Sequence, residues 1–167
     1  MSQSVELPSA PSTIHAVSRA CRCPQTAALA LLISAQGIAR WNLGLWNTRE
    51  VELGLFTGES LFGGGTGWAR VRLDREAGRI DYLVGASPDQ LIPRIEARVL
   101  AGAPLGYPDD VCLVSLIAWR TADMSDERWY RLARTHETEI ELIRGLLEAE
   151  PSASASWRGA PGLTRNA

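Results

Sequence analysis

Residues 125–150 read SDERWYRLARTHETEIELIRGLLEAE, and this stretch decides the fold. It contains no proline, and Trp129, Leu132, His136, Ile140, Ile143 and Leu147 recur at steps of three and four. That period belongs to a helix that buries one face. Ser125 can cap its start. Asp126 and Glu127 suit the positive end of the helix dipole, while Arg128 at the third position leaves no capping box. Upstream, most of residues 46–120 read as strands. A long amphipathic helix that follows a run of strands must cover their sheet, and it either closes a solid core or roofs a cavity.

Working back from that helix, residues 111–119 are apolar on both faces, as a central or doubly covered strand would be. Residues 91–100 alternate, with Ile95, Ala97 and Val99 opposing Arg94, Glu96 and Arg98 on a face expected to be solvated. Pro93 near the start of this strand suggests an edge position. Residues 79–85 form a short strand between turns at 74–78 and 87–89. Residues 61–73 form another, in which Ala69, Val71 and Leu73 point opposite to Trp68, Arg70 and Arg72. Residues 46–56 read as one strand and 57–60 as the turn after it. Gly63, Gly64, Gly65 and Gly67 fit a bulge or strong curvature, and no Lys-Ser or Lys-Thr follows to make a phosphate loop.

Ahead of these strands, QTAALALLISAQGIARW at 25–41 is rich in Ala and Leu. It reads as two short helices broken near Ser34 to Gly37, with Pro24 at the first turn. Residues 13–19 read as a first strand, with Ile14 and Ala16 on one side and His15 and Val17 on the other. The expected organisation is a flexible arm at 1–12, a folded domain at 13–150 and a Ser/Ala/Gly/Pro-rich disordered tail at 151–167 that carries Trp157.

Seventeen basic groups, all of them arginine, oppose nineteen Asp and Glu for a formal net charge of -2. No concentrated basic stripe marks a nucleic-acid partner. The longest apolar run, residues 27–33, is too short to span a bilayer, and no leader pattern opens the chain. Cys21, Cys23 and Cys112 form an odd set without metal-ligand spacing, so neither a disulfide framework nor a metal is expected, and the expected location is cytoplasmic. No cofactor motif is present.

The order strand, two short helices, about five antiparallel strands and a long helix resembles the START-like, or Bet v 1-like (SRPBCC), helix-grip superfamily, in particular its polyketide cyclase/dehydrase-like branch. The resemblance spans residues 13–150. It is carried by the strand before Cys23-Pro24, the stretch from Ala35 to Trp41, the glycine-rich strand from Gly63 to Arg72 and the final helix. It implies an α+β fold in which a curved antiparallel sheet wraps the last helix, with a cavity for an apolar or aromatic small molecule between them. Fold alone does not choose a reaction.

Under that reading Trp41, Trp46, Tyr82, Trp119, Trp129, Leu132, His136 and Ile140 are the candidate ligand-binding residues, since pockets favour rigid aromatic walls with few polar anchors. His136 is also the candidate catalytic acid/base of a cyclase or aromatase, assisted by Tyr82 or Glu139. A third reading is a homodimeric protein-interaction module using residues 111–119 and Trp157.

Overall fold

The computed structural model describes residues 12–149; the expected tail with Trp157 and all but Ser12 of the expected arm lie outside the described residues. The elements run β1 (Ile14–Cys21), α1 (Gln25–Ile33), α2 (Ala35–Trp41), β2 (Leu45–Glu52), β3 (Leu55–Ser60), β4 (Thr66–Asp74), β5 (Arg79–Gly85), β6 (Ile92–Ala101), β7 (Cys112–Trp119) and α3 (Asp126–Ala149). All seven strands form one antiparallel sheet in the order β1-β7-β6-β5-β4-β3-β2. Helix α3 packs on β1 and β7 and touches both short helices. This is the α+β helix-grip arrangement, with six strands following the helix pair where the sequence suggests about five.

Ser125 caps α3 as expected, its Oγ accepting from the Arg128 N–H at 3.3 Å. The whole apolar stripe of α3 is buried, and Glu139 is buried with it. Ile140 and Ile143 belong to the main core with Val114 and Leu116 of β7, Val99 of β6, Ile80 of β5, Phe56 of β3 and Leu32 of α1. Removing each such side chain from water contributes about 1.5–3 kcal/mol. A smaller cluster of Ala118, Met124, Trp129 and Leu132 fixes the N-terminal end of α3.

Four local expectations are corrected. Residues 46–56 are not one strand: β2 and β3 form a hairpin turning at Leu53 and Gly54. Leu53 carries the apolar alternation into the turn although it is 95% exposed, so the pattern there does not report burial. Residues 57–60 belong to β3, not to a turn. Gly58 fits within that strand because a β-carbon would fall 2.4 Å from the Trp46 carbonyl oxygen on the neighbouring strand. The connection to β4 comes later, at residues 61–65. Pro93 lies on an interior strand, since β6 runs between β5 and β7. A register irregularity beside it accommodates the missing N–H, because Tyr82 pairs with Ile95 and Leu83 with Pro93.

The helix pair breaks where the sequence suggests. Ser34 takes an extended conformation, ends α1 and caps α2 by accepting from the Gly37 N–H at 3.1 Å. Gly37 does not make the break. It is buried inside α2, where a β-carbon would fall 1.9 Å from the Leu31 carbonyl oxygen. In an open helix Gly37→Ala would gain about 1 kcal/mol. Here the clash with backbone outweighs that gain, and we expect a net loss of about 1–3 kcal/mol, read as a lower urea midpoint. An unchanged or higher midpoint would show that the α1–α2 approach yields readily.

Candidate functional site

Beneath α3 the sheet does not close onto the helix along its full length, and a cavity of about 350 Å³ remains. This lies within the range of small-molecule sites. Its helical wall is Arg128, Leu132, Thr135, His136 and Glu139, one face of α3 across three turns. The opposite wall comes from β4 to β7, including Ala69, Tyr82, Val84, Ile95 and Leu116. Trp41 and the α2–β2 junction close one side, and the β3–β4 connection with Gly63 and Gly64 contributes to another. The glycines at 63–65 are thus a loop bordering the cavity, not a curved part of the strand.

Of the expected ligand-binding residues, the structure brings Trp41, Tyr82, Leu132 and His136 together on this cavity. Trp129 packs in the cluster at the start of α3, and Ile140 is wholly buried in the main core. Trp46 and Trp119 lie elsewhere, 56% and 40% exposed. Trp119 follows Ala118, which takes the inward position of β7, so strand alternation turns the indole outward. Trp46 sits on the outermost strand beside a register irregularity. Two residues expected to face outward, Trp68 and Arg94, line the cavity instead.

The polar groups in this wall differ in how well they are satisfied. The Tyr82 hydroxyl donates to the Leu32 carbonyl at 2.9 Å, and burial pushes its pKa far up, so it ties β5 to α1 and does not exchange protons. Its ring meets Trp41 edge-on at 6.0 Å. Oε1 of Glu139 accepts from the N–H groups of Leu43 at 2.7 Å and Gly44 at 3.3 Å, which fastens α3 to the α2–β2 junction. Burial nevertheless pushes this carboxyl up to about 7, against the pull of those two amides. His136 moves the other way, to about 4, through burial and then the nearby His15 and Arg94. Its Nε2 lies 3.9 Å from Glu139 Oε2, too far for a hydrogen bond.

Three buried polar atoms of cavity-lining residues have no hydrogen-bond partner: Trp41 Nε1, Arg94 Nε and His136 Nδ1. Buried polar groups are nearly always paired, so these three nitrogens, on α2, β6 and α3, are exceptions among residues that border one cavity. Sequence reasoning found Trp41 and His136 but assigned Arg94 to solvent. Among the described residues, no group of three or more His, Cys, Asp or Glu side chains is placed to hold a metal ion. No helix there is long and apolar enough to cross a membrane.

With this geometry, comparison with solved structures gives the class. The chain has the START-like helix-grip fold. It superposes on a START superfamily protein from Mycobacterium smegmatis with a TM-score of 0.60 at 9% identity, covering 81% of this chain and 97% of that one. The Aha1 dimer from Colwellia psychrerythraea gives 0.60 at 11% identity, covering 83% and 98%. A di-domain ARO/CYC protein, StfQ of the steffimycin biosynthetic pathway, gives 0.55 at 14% identity, covering 80% of this chain and 44% of that one. No family model matches the sequence, and no curated protein matches it. The likeness is therefore one of fold.

The two shifted groups set opposite pH dependences. Glu139, raised from 4.5 to about 7, contributes stability that is full below pH 4.5 and lost as pH rises toward 7. His136, lowered from 6.5 to about 4, contributes stability that is full above pH 6.5 and lost as pH falls toward 4. In the wild type the two oppose each other across the shared window. Glu139→Gln leaves the histidine arm alone, so thermal stability of that variant should climb from pH 4 to 6.5 more steeply than in the wild type, by up to about 1.4 kcal/mol per pH unit. Parallel curves for the two proteins would mean that Glu139 ionises normally.

Proposed function

We propose that the protein binds an apolar or aromatic small molecule in the cavity between the sheet and α3. The observation that carries this reading is a cavity of about 350 Å³ between the sheet and α3, walled by aromatic and aliphatic side chains with a few polar ones, Arg94, Arg128, His136 and Glu139, among them. An apolar enclosure with a few convergent polar groups is the usual build of a ligand site. The names of the structural neighbours, a START superfamily protein and an ARO/CYC protein, point in the same direction. The free thiols of Cys21, Cys23 and Cys112 favour a reducing compartment, and we place the protein in the cytoplasm on that ground.

The uncharged fluorophore N-phenyl-1-naphthylamine tests the binding reading. Its emission should rise saturably with the wild type. Leu132→Trp, which extends a larger side chain from α3 into the cavity, should weaken binding at least tenfold while keeping the thermal transition within a few degrees. Equal binding by both proteins would place the probe elsewhere and contradict the reading.

A second reading, polyketide cyclase or aromatase-like chemistry, draws on one observation. Glu139 is a carboxyl held near pH 7 within the cavity wall, where an acid/base group is best tuned. In this reading the proton donor is Glu139, and His136, held neutral at physiological pH, orients the substrate. A homodimer, the state named for the Colwellia structure, is a separate proposal, and a monomer mass by light scattering at high concentration would contradict it.

A further inference from the structure

The charge on the cavity wall narrows the kind of ligand. Strand β6 points Ala97 and Val99 inward with Ile95 on the same side, so strict alternation would send Arg94 outward. The register irregularity prevents this. Tyr82 faces Ile95 and Leu83 faces Pro93, which leaves Arg94 as the extra residue of a bulge without a partner on β5. Such a bulge re-aims its side chain, and that of Arg94 joins the cavity lining.

Arg94 has no carboxylate in contact there. Its Nε is shut off from solvent without an acceptor. Among the described residues, no carboxylate lies within 4.0 Å of its guanidinium. The second cation of the cavity lining, Arg128 on the first turn of α3, opposes its charge, so burial and Arg128 both press the Arg94 pKa down. The neighbouring acids of α3 are engaged elsewhere, Asp126 with Arg120 and Glu127 with Arg131. Asp123 attracts both arginines, but from a fully exposed position before the helix.

Two guanidinium groups lining one cavity, one of them half-withdrawn from water and without a carboxylate in contact, are costly unless an anion arrives. An arginine fork matches the two oxygens of a carboxylate, and the other members of this wall, Leu132, Ile95 and Val84, suit an apolar body. We infer that the ligand carries a carboxylate, gripped by Arg94 with Arg128 beside it, on an aromatic or apolar body that extends along α3 toward Glu139. The helical rise puts Arg128 and Glu139 about 16 Å apart along the axis, room for two or three fused rings or a chain of similar length. This inference rests on the binding reading above and adds the chemistry of the head group.

The test compares naphthalene-2-carboxylate with the uncharged naphthalene-2-carboxamide by calorimetric titration at pH 7.5. The wild type should prefer the carboxylate at least tenfold. Arg94→Gln should weaken the carboxylate at least tenfold more than the amide and so bring the two to parity, with a thermal transition within a few degrees of the wild type showing that the fold is intact. Arg94→Lys should keep part of the preference. Equal affinities in the wild type, or a preference that survives Arg94→Gln, would overturn the carboxylate inference and leave the binding reading standing. Failure of the wild type to bind either compound at millimolar concentration would overturn both.

Discussion

Burying one face of α3 takes His136 and Glu139 out of water together, and much of the structure answers that constraint. A charged carboxylate and imidazolium in that position would each need strong compensation. The chain supplies backbone amides to the carboxyl instead, from Leu43 and Gly44. This single attachment locks the middle of the long helix to the junction where the helix pair turns into the sheet. The order of those elements, the angle at which α3 crosses β1 and β7, and the wall that Trp41 provides are then linked. Both ionisable groups respond by favouring their neutral forms.

The same constraint explains why the space beneath α3 is polar at chosen points and apolar between them. Beyond His136 toward the C-terminus, Ile140 and Ile143 meet the sheet directly and the core is solid. Before it, Leu132 and Thr135 face the cavity, and the sheet residues opposite include small ones, Ala69 and Gly67. The helix is thus core at one end and roof at the other, with His136 at the change. The unpartnered nitrogens of Trp41, Arg94 and His136 belong to the roofed part.

The parts of this arrangement that were legible in the sequence are those set by periodicity and by local caps. The stripe of α3, its cap at Ser125, the helix break at Ser34, the short strand β5 and the doubly apolar β7 all follow from spacing within a few residues. The parts that were not legible depend on pairing partners. Leu53 keeps the strand rhythm while occupying a turn, Gly58 is required by a carbonyl on another strand, and Arg94 is turned inward by one unpaired residue. Pro93 was a visible sign that the strand is irregular, but it suggested an edge and not a bulge. Aromatic content likewise pointed to Trp41, which lines the cavity, and to Trp46 and Trp119, which do not, because side-chain type does not report which face of a sheet is closed.

The account stands or falls on whether the space under α3 receives a ligand. The most direct measurement is a 1H–15N correlation spectrum titrated with naphthalene-2-carboxylate. Saturable shifts should concentrate at Gly44, Gly85, Ile95, Leu132, Thr135, His136 and Glu139, which converge on the cavity from four separate parts of the chain. Shifts confined to other surfaces, or none at saturating concentration, would contradict it.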